Sequence, residues 1–327
     1  MGLIWCDGFD AADKNGLSTA YALGDAAGFT HINTIAPRSG GQCVSVSSYG
    51  ITKVFSARTA LVMGMACYER FTFNAYAPGG GSPLWRLQFD SLGMLSLVID
   101  PDNHRAGHAT VTSTRPLFQG LTWKYYEVKW SHADGSITVR CNGETVISTT
   151  GAILGANTQA VDFGGDGLDD FYLLDAGDGN APNDFLGDVQ VVTLPVVAPG
   201  RVTGWVPTGA ASNEAAVAGI PEDTTSYVSS AAVGTVDAYA LGPLPVGVTQ
   251  VFAVQLQAYT QKDDAGSRWI GLGFGDGATE NFDDASGVSV SDTWAYQTRA
   301  LNQNPLTLAP WEASDLATAQ VAVKVQA

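Results

Sequence analysis

Residues 161–194 read VDFGGDGLDDFYLLDAGDGNAPNDFLGDVQVVTL. The stretch holds eight aspartates and no basic residue. Two apolar runs, LDDFYLL (168–174) and LGDVQVVTL (186–194), flank a loop of Gly, Asn, Pro and Ala. Runs this short with turn formers between them predict two strands and a connection. An acidic, glycine-rich loop between strands is a metal site, a catalytic rim or a solvated turn, and the surrounding sequence has to choose.

Outward from this stretch a two-residue period recurs almost everywhere and the helical period almost nowhere. WRLQFD at 85–90 alternates apolar with polar residues, and Leu95, Leu97 and Ile99 resume the pattern after a turn, which predicts a hairpin. Tyr126, Val128 and Trp130 share one strand face; Asp134 and Gly135 turn the chain, and Ile137, Val139 and Cys141 continue that face. Asn142-Gly143 suits a two-residue type I′ turn because both residues tolerate positive φ, and such a turn sets Val139 opposite Val146. PVVAPG at 195–200 reads as a linker, since its prolines deny a ladder donors. Beyond it, Val254 and Leu256, then Ile270, Leu272 and Phe274, then Trp294 and Tyr296, and finally Val321, Val323 and Val325 supply strands for a second sheet pair. One helical turn is expected within 305–318. The chain therefore reads as all-β: two tandem antiparallel β-sandwich, jelly-roll-like domains, 1–198 and a smaller 199–327.

Composition bounds the function. A chain of 327 residues exceeds what one core usually serves, roughly 250. A net charge of −16 argues against phosphate-backbone binding, so no nucleic-acid partner is expected. No run of about 18 apolar residues occurs, so no membrane insertion is expected. MGLIWCDGFDAAD lacks the basic and apolar regions of a secretory signal, which predicts synthesis in a cytoplasm. Cys6, Cys43, Cys67 and Cys141 form no C-x-x-C pair and read as buried free thiols.

The motifs that would carry catalysis are missing. Glycoside hydrolysis needs two carboxylates about 5 to 9 Å apart; the glutamates are dispersed, and Asp169 and Asp170, being adjacent, point to opposite faces of a regular strand. There is no G-x-S-x-G elbow. His104 and His108 sit in a Pro- and Gly-containing turn, and the glycines of 271–277 break the nucleotide-loop pattern. The chain is expected not to be an enzyme, with no cofactor beyond calcium in question. Calcium wants six to eight oxygens, and Asp162, Asp166 and Asp169 are its candidate ligands, with Asp170, Asp175 and Asp178 near them. The familiar loop spacing is absent, so solvated turns are the competing reading. Tyr125 and Trp269 fall on the strand face opposite their neighbours' apolar stripe, which makes them candidate glycan-stacking residues.

DGFD (7–10), WKYYEVKW (123–130) and the 168–194 stretch together resemble a family of bacteriophage virion proteins whose N-terminal half is similar to a concanavalin A-like or laminin G-like jelly roll. TSYVSS (225–230), QKDDAGSRWIGLGF (261–274), DTWAYQ (292–297) and VAVKV (321–325) resemble the small β domain that follows it in many tailed-phage tail and fibre proteins. The resemblance implies a non-enzymatic structural protein at the particle exterior, in a tail fibre, a tail tip or baseplate, or a head decoration. It implies other virion proteins and copies of itself as partners, with the protein made in the host cytoplasm and located in the virion. The alternative is an adhesin for a host-surface glycan, with or without calcium.

Overall fold

A computed structural model describes residues 2–10, 20–23, 29–32, 37–38, 42–102, 107–155, 157–177, 179–220, 222–283 and 287–326. His104 and Asp178 lie outside the described residues. The chain divides into two compact units, one of Met1–Asp10 with Tyr21–Val192, the other chiefly Thr193–Ala327. Both are almost entirely antiparallel β.

The first unit contains β1 (Leu3–Asp7), β2 (Ala22–Leu23), β3 (Phe29–Ile32), β4 (Cys43–Arg58), β5 (Ala60–Cys67), β6 (Phe71–Tyr76), β7 (Trp85–Phe89), β8 (Leu95–Ile99), β9 (Ala109–Thr112), β10 (Lys124–Ser131), β11 (Ser136–Cys141), β12 (Glu144–Thr149) and β13 (Thr158–Asp175). The ladder runs β12-β11-β10-β5-β13-β6-β7-β8-β9, with β1 and β4 also on β13 and β2 and β3 on β4. β13 decides the architecture. Its first half pairs with β6 and β4, its second half with β5 and β1. It is thus shared by two layers that face each other: Trp85 of β7 meets Trp130 of β10 at 5.0 Å, and Phe71 of β6 meets Tyr126 of β10 at 4.6 Å, although the ladder sets these strands apart. Only a sandwich brings those rings together.

The 161–194 stretch departs in part from the expected two strands. LDDFYLL is the second half of the 18-residue β13. LGDVQVVTL is not a strand: it has no ladder pairing, it turns where the Val189 N–H donates to the Gly187 carbonyl at 3.0 Å, and side-chain carboxylates rather than a neighbouring strand accept from Gly187 and Val191. The Asn142-Gly143 turn has both φ values positive, at 50° and 80°. The register it was expected to give is corrected, however: Val139 pairs with Ile147, since a bulge between Val139 and Arg140 accommodates Val146 and turns Ile147 to the core. None of the four cysteines forms a disulfide, and Cys43, Cys67 and Cys141 are buried.

The second unit contains β14 (Val196–Thr203), β15 (Val206–Thr208), α1 (Asn213–Val217), β16 (Tyr227–Ser229), β17 (Val236–Leu241), β18 (Val254–Thr260), β19 (Trp269–Gly275), β20 (Glu280–Phe282), β21 (Val288–Ser289), β22 (Ala295–Leu301) and β23 (Gln320–Val325), with a 3-10 turn at Ala313–Leu316. The run read as a linker is therefore β14. It is the edge strand of the sheet β14-β17-β23-β19-β20, where Pro199 is tolerated because an edge strand need not donate on both sides. The β18–β22 ribbon covers this sheet, with Leu256 and Leu301 packed against Ile270, Leu272, Phe274 and Trp311.

Candidate functional site

On β6 and β7, Phe71, Phe73, Trp85 and Leu87 point into the core. The residues alternating with them, Thr72, Asn74, Tyr76, Arg86 and Gln88, line the outer face. Antiparallel register sets Gln88 beside Thr72 and Arg86 beside Asn74, while Asp162 of β13 flanks Asn74 on its other side. A polar row thus crosses three strands. It lines a groove of about 560 Å³. Small-molecule sites occupy roughly 300–1,000 Å³.

The row is a hydrogen-bonded relay. Arg86 Nε–H donates to Asn74 Oδ1 at 2.8 Å, and Asn74 Nδ2–H donates to Asp162 Oδ1 at 2.5 Å. Each side chain fixes the next. Burial pushes the Asp162 carboxyl up, while Asn74 and Arg86 pull it back. Burial and then Asp162 push the Tyr76 hydroxyl up to about 12, so it stays a donor. Gly50, at φ +69°, makes room for the carboxylate: a Cβ there would lie 2.8 Å from Asp162 Oδ2. Among the described residues no protein hydrogen bond engages the Arg86 Nη atoms, the Gln88 amide, or the Thr72 and Tyr76 hydroxyls. The groove therefore presents positioned donors.

The other layer has its outer face covered. Residues 184–191 lie across β10 and the second half of β13 as a strap. Gly187 N–H donates to Glu127 Oε1 at 2.9 Å, Leu186 N–H to Tyr172 Oη at 3.3 Å and Val191 N–H to Asp170 Oδ1 at 2.8 Å. Arg38 donates through Nη1 to Asp170 Oδ2 at 3.0 Å and to the Val189 carbonyl at 2.9 Å, and pairs with Asp188. Tyr125 is consequently no glycan contact. It is 2% exposed, its hydroxyl donates to the Asp170 carbonyl at 2.9 Å, and its ring lies beside Tyr172 and under the Arg38 guanidinium. Its strand position was read rightly as facing away from the core, but the strap buries that face.

The calcium candidates are not brought together. Asp162 lies in the groove, Asp166 accepts the Ser45 hydroxyl, and Asp169 lies near the strap, accepting the backbone N–H of Asp170 at 2.8 Å and of Arg38 at 3.0 Å. Among the described residues no three His, Cys, Asp or Glu side chains converge to hold a metal. A bulge between Asp169 and Tyr172, with Asp170 at φ +53°, also overturns the expectation that Asp169 and Asp170 diverge: both carboxylates turn to Arg38. Burial, then the neighbouring Asp170, push the Asp169 carboxyl up to about 8.

In the second unit Trp269 opens β19 with 43% of its surface exposed. More aromatic surface gathers on the outer face of the β18–β22 ribbon, where Tyr259 meets Trp294 at 5.4 Å and Tyr296 at 4.8 Å, and Tyr227 meets Trp294 at 6.2 Å. Sequence reasoning missed this cluster and the groove. The only signal for the groove was polar alternation on 72–76 and 86–88, which does not reveal which strands adjoin.

No family model matches the chain, and no curated protein matches it. Among solved structures it is similar to a double mutant of congerin II, with 13% identity over 38% of this chain and 97% of the other at a TM-score of 0.29. It is similar to the Caenorhabditis elegans galectin LEC-6, with 13% identity over 38% of this chain and 89% of that one at 0.29. It is also similar to a toad ovary galectin in complex with N-acetylgalactose, with 9% identity over 39% of this chain and 99% of that one at 0.31. These likenesses span well under half of the chain, so the fold rests on its own ladders and the function on its own side chains.

Proposed function

We propose that this protein is a non-enzymatic carbohydrate-binding protein whose first unit holds a sugar in the groove over β6, β7 and β13. The carrying observation is the relay Asp162–Asn74–Arg86, which holds Arg86 in place while its Nη donors, with Gln88, Thr72 and Tyr76, stay open to a ligand. Sugar rings carry hydroxyls at their rim, and the groove offers hydrogen-bonding groups that can meet them. Asp162 is the one carboxylate among the described lining residues, whereas glycoside hydrolysis uses two; that supports a binder. Calcium is not required by this reading, since Asn74 already occupies one Asp162 oxygen.

The setting at a virion exterior, with other virion proteins and further copies of the chain as partners, rests on the sequence resemblance alone. Its most specific element, DDFYLLD (169–175) followed by NDFLGDV (183–189), supplies contacts of the strap over β10 and β13. Glycan binding therefore takes precedence, and a particle-borne adhesin unites the two. A glycan array probed with the full chain, with and without chelator, tests the binding. Selective binding that survives the chelator is expected; no binding in either condition removes the proposal. Immunogold labelling of intact particles tests the setting, and particles without label remove it.

A further inference from the structure

We infer that the sugar held in this groove carries a carboxylate, and that Arg86 is the residue that selects it. The inference rests on the sugar-binding reading and concerns the same site. The protein as a whole has a net charge of −16, which repels an anionic ligand at long range. The groove departs from that average: among the described residues its charged lining is Arg70, Arg86 and Asp162, two cations against one anion. Asp102 is the further acidic group close enough to act on Tyr76 at the edge of the groove. Arg86 is also oriented. Its Nε is committed to Asn74, which leaves the Nη pair, and a guanidinium edge presents two parallel N–H groups that match the spacing of a planar carboxylate. Asp162 is kept from competing for that edge because its Oδ1 is bound by the Asn74 amide, with Asn74 standing between the two charges. Arg70 is held through Nη2 to the Ser91 carbonyl at 3.2 Å and over the Phe118 ring, and adds positive charge to one end of the groove. A neutral sugar would leave the Arg86 edge to water.

The test compares ligands that differ in charge and little else. Oligogalacturonate and its methyl ester share the ring and its hydroxyls, and calorimetry on the full chain at low salt is expected to show the acid bound at least about tenfold more tightly, a difference of about 1.4 kcal/mol. Added salt is expected to narrow the gap. Arg86→Gln is expected to abolish the acid-over-ester preference, and Arg86→Lys to restore part of it, since charge returns without the fork. Equal affinity for acid and ester, or tighter binding of the ester, overturns the inference while leaving sugar binding intact. A sulfated oligosaccharide preferred over the carboxylated one also overturns it, because a tetrahedral group would then be the better match. Failure of every sugar on the array removes the parent reading instead.

Discussion

The two outer faces of the first unit begin from the same strand pattern and end differently. Over β10 and the second half of β13, outward polar groups such as Glu127 and Asp170 meet backbone amides of residues 187–191, and the face is closed. Over β6 and β7, outward Arg86, Gln88 and Thr72 meet no segment of the chain among the described residues, and the face stays a groove. The strap is in effect a ligand that the chain supplies to itself. Polar side chains on a sheet face that bind their own backbone are architecture, and equivalent side chains left open are the better functional candidates.

The contrast can be broken most forcefully at Asp170. Its carboxylate is fully buried and binds both Arg38 and the Val191 amide, so Asp170→Ala strands a cation and an N–H; a loss of about 3 kcal/mol or more in urea unfolding is expected, and a loss under about 1 kcal/mol would show that the strap is held by other means. Gly64→Ala comes next. A Cβ there would lie 2.3 Å from Tyr172 Cε1 and 2.9 Å from Tyr125 Cε1, which predicts a cost of about 1–3 kcal/mol and a loosened strap, read as faster hydrogen exchange at Gly187.

The covered face should also respond to pH. Asp169 is pushed up to about 8 and Asp10 to about 6, both first by burial, from an ordinary 3.8. The folded chain therefore holds protons that the unfolded chain releases, so their contribution to stability is full below pH 4 and is lost as pH rises, through about 6 for Asp10 and about 8 for Asp169. Melting temperatures from pH 4 to 8 should show this decline, and Asp169→Asn should flatten it; an unchanged slope in the variant would exclude Asp169 as its source.

The open face predicts smaller effects on stability and larger ones on ligand. Asn74→Ala removes the middle of the relay, with a cost of about 1 kcal/mol in unfolding and a drop of about tenfold in sugar affinity. Gln88→Ala should leave stability within about 0.5 kcal/mol while weakening sugar binding several-fold. Affinity unaltered by both substitutions would move the binding site elsewhere, with the aromatic surface of Tyr227, Tyr259, Trp294 and Tyr296 the next place to look.

Much of this was legible in the chain and some was not, for reasons that particular residues show. The hairpin of Trp85–Phe89 with Leu95–Ile99 follows from local alternation and a turn, and the observed pairing of Leu87 with Leu97 needs nothing more. The strand facing of Tyr126, Val128 and Trp130 was equally local, and all three are buried. Val139 and Val146 were misaligned because a bulge is decided by how Ile147 packs, not by the turn. Tyr125 was misread because what lies over it, the Arg38 guanidinium bound to the Val189 carbonyl of the strap, comes from distant parts of the chain.

By itself the sequence determined the β class, the turns and which side chains point away from the core, since a period of two is a property of each strand alone. Tertiary structure alone decided which outward face is closed by the strap and which remains a groove, which adjacent aspartates share an arginine, and which polar residues become neighbours. Those outcomes depend on contacts between segments distant in sequence, where a single bulge or one strap changes what a side chain meets without altering the pattern that placed it.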